Sequence, residues 1–136
     1  MNQIIISKLD YTRILKCIND ARQMNTIGVQ EAENLTKELN SAKVVEPGEI
    51  PDNVVTMNSI VKINFLNTNK TLRIQIVYPD QANMKENKIS IFSPVATALI
   101  GYKKDDEVEW IVPSGLTKLR IDDIIYQPEA EGDFEL

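Results

Sequence analysis

The chain has 136 residues, 43% of them apolar and 26% charged, with 15 basic against 20 acidic side chains and a net charge of −5. That is room for one domain, or a small domain with an appendage, around a modest core. The absence of histidine excludes Ser-His and Cys-His couples, the lone Cys17 excludes intrachain disulfides and thiolate clusters, and the acidic balance argues against direct sequence-specific nucleic-acid binding, which needs Lys and Arg on phosphates.

Residues 1–6 read as a short strand or a packed arm. Ile4-Ile5-Ile6 lacks the basic flank and cleavage site of a signal peptide, and no apolar run approaches the roughly 20 residues of a membrane span, so a cytoplasmic location is expected. Ser7-Lys8-Leu9-Asp10 has the Ser-x-x-Asp form of a helix start. Apolar residues then recur at Tyr11, Ile14, Leu15, Ile18 and Ala21, predicting one helix to about Met24, with Cys17 as a small buried side chain within it. Met24-Asn25-Thr26-Ile27-Gly28 forms the tip. A second stripe at Ala32, Leu35, Leu39 and Ala42 has the spacing of a two-stranded seam, and Glu33 stands four residues before Lys37 as a favourable surface pair. Two amphipathic helices joined by so short a turn lie antiparallel, so residues 1–46 are expected to form a helical hairpin, a short coiled coil.

Pro47, Gly48 and Pro51 stop the second helix and make 47–52 a linker. Beyond it the period changes. Strands are predicted over Ser59–Phe65, Thr71–Tyr78, Lys88–Phe92, Glu107–Val112 and Lys118–Tyr126, with Leu72, Ile74 and Ile76 on one buried face and Leu119, Ile121 and Ile124 or Ile125 inward. Ser93-Pro94-Val95-Ala96-Thr97-Ala98-Leu99-Ile100-Gly101 interrupts them: Ser at the N-cap, Pro at N1 and Gly past the end predict a helix of two turns. Residues 53–136 are therefore an α+β domain, an antiparallel sheet with one short helix, ending in an acidic tail. Trp110 reads as core. Asp105-Asp106-Glu107 reads as a solvated turn and Lys103-Lys104 as loop charge, so neither a metal nor a cofactor is expected.

The Ser93–Gly101 segment, followed by Asp106-Glu107-Val108 and Pro113-Ser114-Gly115, resembles the C-terminal signature of the bacterial Gre transcript-cleavage factors. A helical hairpin before a small strand-rich domain is also their layout. The likeness is closer to the Rnk branch, whose name is regulator of nucleoside diphosphate kinase. It rests on Asp52-Asn53-Val54-Val55-Thr56-Met57-Asn58-Ser59, on Val77-Tyr78-Pro79, and on Tyr126-Gln127-Pro128-Glu129-Ala130 with Gly132-Asp133-Phe134, and it spans about residues 4–136. The resemblance implies an FKBP-like C-terminal domain and binding to RNA polymerase at the rim of the secondary channel, the pore by which nucleotides reach the active site. It assigns rim docking to Phe92, Ser93, Pro94, Ala96 and Thr97. Phe92 stands where Gre proteins often carry Asp or Asn, a departure at the contact itself.

Gre factors present two acids at the hairpin tip, which help hold a catalytic metal and water. Here Met24–Val29 contains no acid, and Glu31 and Glu33 read as helix-start and solvated-face charges. A helix from Lys8 to Met24 reaches only about 25 Å at roughly 1.5 Å per residue, and Gre hairpins are substantially longer. The expectation is a monomeric, non-enzymatic regulator that competes with cleavage factors without stimulating cleavage. Two alternatives stand beside it: an adaptor of nucleoside diphosphate kinase, whose link would be indirect through transcription, and an FKBP-like peptide-binding or isomerase module.

Overall fold

The computed structural model describes residues 4–25, 28–112 and 115–128, and of Pro94, Trp110, Ile111, Val112, Gly115 and Leu116 the backbone alone. β1 (Ile5–Ser7) runs directly into α1 (Lys8–Gln23). Ser7 is extended and its hydroxyl accepts from the Asp10 N–H at 3.0 Å, the N-cap that the Ser-x-x-Asp pattern predicts. Asn25 turns the chain with a left-handed backbone (φ 55°), and α2 (Val29–Ser41) returns against α1. Ile14, Ile18 and Ala21 of α1 and Ala32, Leu35 and Leu39 of α2 are buried, as their spacing requires. On the outer face Gln30 donates to Asn34 at 2.9 Å, whereas Glu33 and Lys37 do not close the expected pair; holding two long side chains in one geometry offsets most of what an exposed ion pair contributes.

β2 (Lys43–Val45) follows α2 and pairs in parallel with β1, Ile5 opposite Lys43 and Ser7 opposite Val45. The two ends of the hairpin are thereby tied together. Three residues are too few to show a strand period, so this pairing was not readable from the sequence.

The main sheet holds β3 (Ile60–Phe65), β4 (Lys70–Val77), β5 (Lys88–Ser90), β6 (Glu107–Val112) and β7 (Gly115–Tyr126) in the order β5-β4-β3-β7-β6. Every predicted strand is present, but the sheet is mixed, not antiparallel: β5 runs parallel to β4, with Ile89 beside Ile76. The connection 78–87 is the cause. It carries two single turns of 3₁₀ helix, Pro79–Gln81 and Met84–Glu86, and returns the chain to the starting side of β4 before β5 begins. Alternation of apolar residues reports which face is buried, never strand direction.

Two register shifts between β3 and β7 explain another departure from strict alternation. Ile63 faces Ile121 and Val61 faces Ile124, so Asp122 is an extra residue and both isoleucines point inward although three apart. Ile121 is fully buried and Ile124 packs at the core margin, while Ile125 is exposed. Leu72, expected inward, is 39% exposed.

α3 (Pro94–Leu99) lies against β6 and α2. Its core residues Ala96 and Leu99 join Ile14, Ile18, Leu35 and Leu39 of the hairpin and Val61, Ile63, Ile74, Ile76, Leu119 and Ile121 of the sheet in one buried cluster. Gly101 ends this helix at φ +83°, and its carbonyl accepts from Ile5 N–H at 3.2 Å. A Cβ at Gly101 would lie 2.6 Å from that of Ile4, so glycine is required both by the backbone and by the approach of β1. The architecture is α+β. Among the described residues no helix is long and apolar enough to cross a membrane.

Candidate docking site and hairpin root

The run Val54–Ser59, which leads into β3, is buried throughout. It passes between three elements and its backbone bonds to each. Val55 N–H donates to Tyr102 O at 2.8 Å and Val55 O accepts from Gly101 N–H at 2.9 Å, fastening the run to the end of α3. Asn58 N–H donates to Ile76 O at 2.6 Å, fastening it to β4; Asn58 adopts φ 67°, a conformation asparagine tolerates. Thr56 and Ser59 close the turn through their hydroxyls, 2.9 Å apart.

The third fastening reaches the hairpin. Met57 N–H donates to the Asp10 carboxylate at 3.2 Å, and the Tyr78 hydroxyl lies 3.4 Å from its other oxygen. Asp10 sits in the first turn of α1, where the helix N-terminus also favours a carboxylate. Burial first, then the Asp10 charge, push the Tyr78 phenol well above its ordinary value of 10.0, with Arg13 pulling the other way. The phenol therefore keeps its proton, which can point to Asp10. In the sequence Asp10 is a helix-start acid and Tyr78 part of a strand end resembling the Rnk branch; only the side-chain directions show that they meet.

From this anchor a cleft of about 650 Å³ opens between α1 and the sheet unit. Arg13, Lys16, Cys17, Asp20 and Met24 line it on the helix side, and Tyr78, Pro79, Asp80 and Phe92 on the other. Cys17 is half-buried on this wall, not enclosed in the core as its helical pattern suggested. Its thiol is pushed above 9.0 by burial, then by Asp80 and Asp20, against Lys16. The lining combines apolar surface with two cations, Arg13 and Lys16, and two acids, Asp20 and Asp80.

The residues assigned to rim docking lie together beside the cleft but are not equivalent. Phe92 is half-buried and lines it. Ser93 caps α3, its hydroxyl accepting from Ala96 N–H at 3.3 Å. The Thr97 hydroxyl donates to Ile91 O at 2.9 Å, while Ala96 is fully buried. Pro94 occupies the first helical position, as predicted. At the tip, Met24 and Val29 are 73% and 77% exposed, and Gly28 caps α2. Thr26 and Ile27 lie outside the described residues. The Glu31 carboxylate folds back over Gly28, at the start of its own helix. Asp106 accepts from Lys103 N–H at 2.9 Å, so that acidic turn is organised by its own backbone, and among the described residues no three acidic or cysteine side chains gather as a metal site would require.

Residues 50–126 match the family described as "Transcription elongation factor, GreA/GreB, C-term". Over 134 residues the chain is 37% identical to the Escherichia coli K12 protein named "Regulator of nucleoside diphosphate kinase", covering 98% of this chain and 96% of that one. It is 36% identical over 108 residues to "Transcription elongation factor GreA" of a Psychrobacter species, covering 79% and 68%. Among solved structures, a GreA/GreB transcription elongation factor from Nitrosomonas europaea superposes with a TM-score of 0.74 at 37% identity, over 91% of this chain and 100% of that one.

Proposed function

The chain belongs to the GreA/GreB family of transcription elongation factors, and from that premise we propose that it regulates RNA polymerase by occupying the secondary channel without stimulating transcript cleavage. Its two working parts are the hairpin of residues 1–46, read as a short coiled coil, and the FKBP-like unit of residues 53–136, joined by 47–52. The sheet unit docks at the channel rim through Phe92 and the start of α3. Ser93 and Pro94 shape that edge, Thr97 ties α3 to the strand before it, and the buried Ala96 supports it from beneath. The hairpin then enters the pore as a plug, with the protein acting as a cytoplasmic monomer.

The observation that carries the non-cleaving reading is the tip. Cleavage in trans needs carboxylates that reach a metal. Met24–Val29 supplies none, and the next acid, Glu31, is turned back onto Gly28. α1 has 16 residues, about 24 Å at roughly 1.5 Å per residue, which suits the pore entrance rather than its floor. The test is RNA shortening in stalled, backtracked elongation complexes. The protein should not accelerate it, and should slow it when a cleavage factor is present; acceleration by the protein alone would sink the reading.

A second reading follows from the relative named as a regulator of nucleoside diphosphate kinase, 37% identical along nearly the whole chain. On that reading the cleft beside Phe92 receives the kinase. Capture from cell extract separates the two: polymerase subunits support the first, the kinase without polymerase the second. The isomerase reading is weaker, because among the described residues Tyr78 and Phe92 alone are aromatic in the cleft lining.

A further inference from the structure

Among the described residues Asp10 is the one charged side chain that is buried, 2% exposed. Burying a carboxylate is costly unless it is hydrogen-bonded, and a well-packed apolar group in its place is often neutral or stabilising. The hydrogen bonds here run to two separate segments, Met57 before β3 and Tyr78 after β4. We infer that Asp10 is a positioning residue that sets the aim of the hairpin relative to the docking edge at Phe92, an inference that takes the hairpin to be the part that enters the channel.

The geometry supports this in three ways. Two contacts from different oxygens of one carboxylate fix the rotation of α1 as well as its distance from the sheet unit. Farther along α1 the face bearing Arg13, Lys16, Cys17, Asp20 and Met24 lines the cleft opposite Tyr78, Pro79, Asp80 and Phe92, and Arg13 acts on the same Tyr78 hydroxyl, so the polar links across this side gather near the Asp10 turn. The lever is long: from Asp10 to Met24 the helix extends about 21 Å, so an angular error of roughly 10° displaces the tip by about 4 Å. The β1–β2 pair and Gly101 hold the two ends of the hairpin, and Asp10 adds the separate link from α1 to β4. Tyr78 belongs to both the anchor and the cleft wall, so the docking surface and the hairpin root share a side chain.

The test measures the aim directly. Spin labels go on Met24→Cys at the tip and Lys62→Cys on the exposed face of β3, in a Cys17→Ser background, and double electron–electron resonance gives the distance distribution. The parent should show one narrow distance. Asp10→Ala should raise misaligned conformers from below about 1% to above roughly 10% of molecules, the range in which minor states become visible. Tyr78→Phe, which removes only the hydroxyl, should broaden the distribution less. Circular dichroism at the same temperature establishes that each variant is folded; if Asp10→Ala is not, Asp10→Asn and Tyr78→Phe decide the matter by the same criterion. A narrow distribution in the folded variants, with only a lower melting temperature, would overturn the inference, as would a broad distribution in the parent. In a second arm, Asp10→Ala should bind core polymerase like the parent yet lose about tenfold in excluding a cleavage factor, a coupling within the usual range. Equal loss of both would overturn the inference. A parent that does not bind polymerase defeats the channel reading, and the distance measurement still decides whether Asp10 aims the hairpin.

Discussion

Replacing Gly101 by alanine tests the junction on which the hairpin root depends. At φ +83° the backbone is left-handed, which costs a non-glycine residue ~1–2 kcal/mol. The new Cβ would also meet Ile4 Cβ at 2.6 Å and Ile5 N at 3.2 Å; the first is closer than carbon atoms tolerate, so β1 must shift. Overpacking of this kind costs about 1–3 kcal/mol. The sum is about 3 kcal/mol, which at an unfolding entropy of ~2.1 cal/mol/K per residue lowers the melting temperature of a chain this size by roughly 10 °C. Thermal unfolding followed by far-ultraviolet circular dichroism measures it. Ile4→Ala supplies the internal control. Alone it opens a cavity at a residue 2% exposed and costs about 2–5 kcal/mol. Combined with Gly101→Ala it relieves the clash, so the double variant should be at least ~1 kcal/mol more stable than the two losses summed. A Gly101→Ala protein melting within about 2 °C of the parent, or strictly additive losses, would refute the argument.

Three further outcomes are expected. Phe92→Ala should weaken binding to core polymerase by about tenfold or more in a fluorescence competition assay, as loss of an aromatic anchor does; Phe92 also packs against the core, so the melting temperature should fall, and circular dichroism at the assay temperature establishes that the variant is folded. Glu38 is held above its ordinary value of 4.5 by burial, partly opposed by Lys37, so its ionised form is disfavoured in the folded chain; the stabilisation is present below the unfolded value and is lost as pH rises through the raised one. Glu38→Gln should therefore raise the melting temperature at neutral pH and confer no gain below about pH 4. Cys17 should alkylate more slowly with iodoacetamide than an unperturbed thiol, and Asp80→Asn should speed it; an unchanged rate would show that the Asp80 charge is not acting on the thiol.

Much of the chain was legible one segment at a time. The stripes at Ile14, Ile18, Leu35 and Leu39 and the alternation of β3 and of the second half of β4 are local rules that set which side chains are buried, and the Ser7 and Ser93 caps set where helices start; Leu72, at the exposed beginning of β4, escapes its pattern. The candidate site was legible less evenly. Phe92 and the α3 start were marked by a motif as docking residues, whereas Asp10 was marked only as a helix-start acid and Tyr78 only as part of a family likeness, with no sign that the two meet. A side chain bonded to partners 47 and 68 positions away looks the same in sequence as a solvated one.

By itself, then, the sequence determined the order of the main helices and strands, most of their buried faces, the absence of histidine chemistry and the absence of an acid at Met24–Val29. Tertiary structure alone decided that β5 is parallel to β4, that a bulge turns both Ile121 and Ile124 inward, and that Gly101 must accommodate Ile4. It also decided where the hairpin points. Periodicity and capping act within one element, but the angle between elements is set by contacts among residues far apart in the chain, here through Asp10, Met57 and Tyr78.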